Sequence, residues 1–139
     1  ASIGGYIICD PIIRDYLINK MRPLIFSTAL PPISMAWSDF IFNKVLNMQQ
    51  QRQHLAEISQ YLQQAVIAKG FSSPSSSHII PIIVGESQAA IEKARYVQQQ
   101  GFYAMPVRPP TVPQNSSRLR ISLTSMVQKA ELEKLVECL

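Results

Sequence analysis

Residues 106–124 read PVRPPTVPQNSSRLRISLT. The second half of this stretch alternates. Leu119, Ile121 and Leu123 share one parity, and Arg118, Arg120 and Ser122 share the other. Successive side chains of a β-strand point to opposite faces, so the pattern predicts a half-buried strand with its leucine side on a core and its arginines facing away. Upstream of it Pro106, Pro109, Pro110 and Pro113 stand close together. Each proline fixes φ and removes a backbone donor. A solvated turn gains nothing from such stiffness, whereas a loop that holds its shape against a ligand does, because preorganisation lowers the entropic cost of binding. The arginine face therefore has two readings: a solvated sheet surface, or an anion site in which the planar guanidinium fork grips a carboxylate.

Working outward, IIPIIVG (79–85) is a short apolar strand, with Pro81 pointing to an edge or a bulge. Ser87 caps a helix through Gln100 that Gly101 ends, residues 102–107 form a strand, and 128–139 form an amphipathic helix with Leu132, Leu135, Val136 and Leu139 on one side. The order strand, helix, strand, strand, helix defines an α+β layer: a small antiparallel sheet with helices on one face.

Farther upstream, residues 3–9 read as a buried strand behind Gly4-Gly5. Asp10-Pro11 opens a short helix, with Asp as N-cap and Pro in the first turn, and Arg22-Pro23 ends it. Residues 24–32 form a strand or extended loop. From Ile33 to Lys69 apolar residues recur at helical steps, and Gly70 closes the run. A helix of that length spans roughly 55 Å. It either bridges two domains or kinks in its glutamine-rich middle, MQQQRQ (48–53). Three segments are expected: 1–30, a connecting helix over 31–70, and a C-terminal small domain over 71–139.

The 139 residues carry a net charge of +4, divided equally between residues 1–70 and 71–139, with no lysine or arginine cluster of the sort nucleic-acid binders show. No apolar run approaches the ~20 residues of a membrane span. The opening ASIGGYIICD has neither the basic region nor the long apolar stretch of a signal peptide. Cys9 and Cys138 have no partners at disulfide or metal-site spacing, which fits reduced thiols in the cytoplasm. His54 lies in the polar stretch of the long helix and His78 at a strand entrance. Neither belongs to a catalytic set, and no metal site is expected.

RPPTVPQNSSRLRISLT (108–124) resembles the C-terminal signature of the pyridoxal-phosphate-dependent α-oxoamine synthases. SIGGYIICD (2–10), IFSTALPP (25–32) and IIPIIVG (79–85) match the same family in the same order. The resemblance implies a fold-type-I aminotransferase architecture, a homodimer, and the cofactor pyridoxal 5'-phosphate held as a Schiff base to a lysine. It implies condensation of an amino acid, L-alanine in the branch most similar to this chain, with an acyl thioester and loss of CO2. It places residues 1–30 at the tail end of the large cofactor-binding domain. The lysine would lie a few residues before Ala1, so residues 1–139 are expected to be the C-terminal portion of a synthase, without activity of their own. Arg120 matches the arginine that binds the amino-acid carboxylate. Ser27 and Thr28 match the segment reaching the partner subunit's cofactor phosphate. Thr111, Val112 and Pro113 match the active-site wall, and Arg108 is a candidate for the distal carboxylate of a pimeloyl-type acyl chain. Arg118 is left as a rim charge. Two other classes stay open: a different oxoamine synthase with another acyl donor, and a non-catalytic binding or dimerisation module. An RNA-binding sheet would present aromatics for base stacking, which Arg118, Arg120 and Ser122 lack on their face.

Overall fold

A computed structural model describes residues 3–139. The chain divides into two compact units, the first ending at Met48 and the second running Gln49–Leu139.

The first unit contains three helices: α1 (Pro11–Lys20), α2 (Arg22–Ile25) and α3 (Pro32–Leu46). The Asp10 carboxylate accepts the Ile12 N–H at 3.0 Å, and Pro11 occupies the first turn, where its missing donor costs nothing. No described residue of this unit is buried. Tyr6, Ile8, Ile12, Phe26 and Ile33 are all more than three-quarters exposed. The strand expected over 3–9 does not form, and residues 24–32 begin with the end of α2, continue as irregular chain over 26–31 and end on the first residue of α3. A strand needs a neighbour to take its N–H and C=O groups, and the described residues offer these segments none.

The second unit holds α4 (Gln49–Ala68), β1 (Ile79–Gly85), α5 (Ser87–Gln99), β2 (Met105–Val107), β3 (Ser117–Ser122) and α6 (Lys129–Glu137). The single long helix expected over 31–70 is thus two helices. The break lies at Asn47-Met48, just before the glutamine run, where both residues make only short backbone bonds to Lys44 and Val45. Asparagine competes for its own backbone and is a poor helix former, which favours a stop there.

The sheet is antiparallel in the order β1-β3-β2, so the arginine-bearing strand is central. Pro81 sits on edge strand β1, where a missing donor is tolerated. Ile80 and Ile82 of β1 and Leu119, Ile121 and Leu123 of the β3 segment pack on one side of the sheet. Ala90, Ala94 and Val97 of α5, Ile58, Leu62 and Val66 of α4, and Leu132 and Leu135 of α6 complete that core. Each helix contributes residues three or four apart, the face that 3.6 residues per turn keeps together.

Helices α4 and α5 end alike. Gly70 and Gly101 have φ of +88° and +91°. In each case the glycine N–H and the following phenylalanine N–H bond back to the last turn: Gly70 to Ile67 and Phe71 to Val66, Gly101 to Gln98 and Phe102 to Val97. These are paired Schellman closures, with Phe71 and Phe102 folded back onto the core. Phe102 is consumed by the second closure, so β2 starts at Met105 rather than 102. Ser87 does not cap α5; its hydroxyl faces the buried Ser117 hydroxyl at 3.2 Å.

Candidate functional site

Strand β3 keeps the alternation of its sequence. Ser117, Leu119 and Ile121 are buried, Arg118 is half-buried and Arg120 is exposed. Pairing sets two rows across the open face: Pro81–Arg120–Met105, and Ile83–Arg118–Val107. Each arginine stem is therefore flanked on both sides by apolar residues, along which a long side chain lays its methylenes while its charged end remains free.

Above this face stands the loop joining α4 to β1. Gln63 Nε2 donates to the carbonyls of Ser73 and Ser75, both at 2.8 Å, tying the loop to α4. Within it, Ser75 Oγ donates to Ile79 O at 2.7 Å, and Ser77 Oγ accepts the Ile79 N–H at 3.2 Å. Serine hydroxyls that satisfy nearby backbone groups hold such a turn in one shape. Between loop and sheet lies an open cleft of about 400 Å³, lined by residues 74–77, Ile79, Pro81, Val107, Arg118 and Arg120. No carboxylate lines it. Arg118 Nε donates to Ser116 O at 3.0 Å, which orients its guanidinium. The Arg120 guanidinium makes no hydrogen bond or ion pair among the described residues. Two guanidinium groups line one cleft, neither neutralised, a combination whose chemistry suits an anionic ligand.

The sequence-derived candidates separate in the structure. Arg120 lines the cleft, and Arg118, read from sequence as a rim charge, lines it too. Arg108, Thr111, Val112 and Pro113 belong to the proline loop beyond β2 and do not line it. That loop is held by a Thr111 N–H bond to Arg108 O at 3.0 Å and a Ser116 Oγ bond to Pro113 O at 2.7 Å, with a cis Pro109-Pro110 peptide. Ser27 and Thr28 are exposed and lie in the first unit, with Ser27 Oγ donating to Thr28 O at 3.0 Å. The serine loop was not singled out from sequence. Its signal was the run SSPSSSH immediately before a strand that pairs with the arginine strand.

A second cleft, about 470 Å³, lies on the other side of the same loop, against α4. Its one arginine, Arg52, is already bonded to Gln49 Oε1 at 2.8 Å, so it is the weaker anion site. His54 is half-buried rather than free in solvent, with Nε2 2.9 Å from Val127 O.

A covalently held aldehyde cofactor requires a free lysine amine in the site. Lys93 bonds the Leu139 carbonyl and lies over Phe71, Lys129 lies over Tyr61, and Lys44 lies over Phe40. None of the six lysines lines the arginine cleft. The described residues fit a substrate carboxylate, and hydroxyls are available for a phosphate, but these residues do not by themselves fit a covalently anchored cofactor.

The family of aminotransferases class I and II matches this chain over residues 1–139, and the chain belongs to that family. Within it, the chain is 51% identical over 139 residues to a putative 8-amino-7-oxononanoate synthase of Pasteurella multocida and 52% identical over 140 residues to an 8-amino-7-oxononanoate synthase of Haemophilus ducreyi. These matches cover 99% and 100% of this chain and 36% of each relative, so the chain spans little more than a third of their length. The crystal structure of 8-amino-7-oxononanoate synthase from Francisella tularensis matches in fold, with a TM-score of 0.77 at 24% identity, over 93% of this chain and 38% of that one.

Proposed function

We propose that this chain is the C-terminal portion of an 8-amino-7-oxononanoate synthase. The whole enzyme is a pyridoxal 5'-phosphate-dependent acyltransferase of biotin biosynthesis. It condenses L-alanine with pimeloyl-CoA or a pimeloyl carrier protein, losing CO2, and works as a cytoplasmic homodimer. The observation that carries this reading is Arg120: an unpaired guanidinium on the central strand, in a cleft without acidic side chains, within a segment that keeps the family's proline-arginine pattern.

In this reading Arg120 binds the alanine carboxylate through paired N–H···O bonds and sets the angle of the Cα–carboxylate bond that breaks when CO2 leaves. The apolar residues of its row, Pro81 and Met105, flank the arginine stem and leave the guanidinium as the polar end of that surface. Thr28, with Ser27, donates a hydroxyl to the cofactor phosphate of the partner subunit, and Thr111, Val112 and Pro113 form part of the pocket wall. When bound, the cofactor supplies the electron sink for the carbanion at the amino-acid α-carbon. The amine that anchors it is not among the lysines of residues 1–139, which alone are inactive.

The test uses the full-length enzyme with Arg120→Ala. A hydrogen bond to a charged group contributes about 1.5–3 kcal/mol, so KM for alanine should rise on the order of 10- to 100-fold. Cofactor affinity, measured by fluorescence titration, should hold. An unchanged KM for alanine would remove the carboxylate role.

A further inference from the structure

Arg118 is the residue the sequence left without a task. It shares one open cleft with Arg120. The two lie two residues apart on the same face of β3, about 7 Å between their Cα atoms. Arg118 is half-buried and held at Nε by the Ser116 carbonyl, so its two terminal NH2 groups are presented in a fixed orientation. Its cross-strand neighbours are Ile83 and Val107, and the lining around both arginines includes Ile79 and Pro81. Arg108, the alternative partner for a second anion, is exposed in the proline loop and outside the cleft.

A cleft with two separated cations, no carboxylate and an apolar floor is complementary to an anion at each end of a short polymethylene chain. Resting on the synthase reading above, we propose that Arg118 is the specificity-determining residue that binds the distal carboxylate of a dicarboxylic acyl donor while Arg120 holds the amino-acid carboxylate. A half-buried, preoriented arginine strongly favours an occupied over an empty partner position, because its donors go unpaired when a ligand lacks the terminal carboxylate. Ser76 lines the same cleft, and its hydroxyl makes no bond among the described residues, leaving it available as a further donor to the same group.

The experiment compares pimeloyl and heptanoyl thioesters, equal in chain length and differing in the terminal carboxylate, as donors for alanine with the full-length enzyme. The unmodified enzyme should prefer the pimeloyl donor in kcat/KM by about 10- to 100-fold. Arg118→Gln should bring that ratio close to one, and Arg118→Lys, which keeps the charge without the fork, should fall between. A ratio that persists in both variants overturns the assignment, as does its collapse in Arg108→Gln instead. Free pimelate should compete with the acyl donor more strongly than heptanoate in the unmodified enzyme, a readout independent of whether any variant folds; equal competition also overturns it. No turnover of alanine with either donor by the unmodified enzyme removes the synthase reading itself, and this assignment with it.

Discussion

At the scale of single residues, β3 carries both the core and the candidate site on one six-residue segment. Leu119 is wholly buried between sheet and helices, while the next residue along the backbone, Arg120, is exposed to the cleft. A change at either position therefore reads out differently. Leu119→Ala leaves a cavity under the central strand and should cost about 2–5 kcal/mol, visible as a lowered denaturation midpoint by circular dichroism. A loss below about 1 kcal/mol would mean that the core closes over the gap. Arg120→Ala removes no packed apolar group and should instead appear in alanine binding. The parity of these residues was legible in sequence because a strand has no freedom to place neighbours on the same face. The membership of Arg118 was not legible, since the same parity serves a solvated rim and a cleft wall equally well. The serine loop standing over β3 decides between them, and that loop is more than 40 residues away in the chain.

At the scale of elements, two glycine-phenylalanine pairs end two helices and send the chain back toward the sheet. Space does not limit substitution at Gly70 or Gly101: a side-chain carbon added at either position meets nothing within 4 Å. The left-handed backbone alone sets the cost, so Gly70→Ala and Gly101→Ala should each destabilise the chain by about 1–2 kcal/mol, measured by urea unfolding, with little change in the folded spectrum. No measurable loss would mean that the closures relax to another geometry. These stops were readable from sequence because glycine after an amphipathic run has a specific backbone use. The strands expected over 3–9 and 102–104 failed for a related reason. Strand-like composition reports an apolar segment, while strand formation requires a bonded neighbour, which residues 3–9 lack among the described residues and which Phe102 forgoes in closing α5. Of the two outcomes left open for the long helical run, a bridge or an interruption at its glutamine-rich middle, the interruption occurs, at Asn47-Met48, where the apolar period lapses until Leu55 and helix propensity is low.

At the scale of the whole molecule, the two units differ in what they bury. The second unit has a continuous core from four directions: the sheet, α4, α5 and α6. The first has, among its described residues, three helices, a well-formed cap and no buried residue, and its tyrosines, its phenylalanines and all its isoleucines but Ile41 face outward. Helices of this length draw most of their stability from tertiary packing. Residues 1–139 alone should accordingly show slow amide exchange in α4–α6 and β1–β3 and little protection in α1–α3, and mixing with pyridoxal 5'-phosphate should leave the cofactor's visible absorption unchanged. Strong protection across α1–α3 would show that the first unit folds on its own resources.

By itself, the sequence determined the α+β character of residues 79–139, the helix stops at Gly70 and Gly101, and the two-faced central strand, because each follows from periodicity or from one residue's backbone limits. It also carried the family resemblance, through a proline-arginine segment with few alternative uses. Only the tertiary structure decided that β3 lies between β1 and β2, that the serine loop roofs the arginine face, and that Arg118 joins Arg120 while Arg108 stays outside. Those relations depend on which distant segments pair and pack, and a local pattern is compatible with many partners until burial of the shared core selects one.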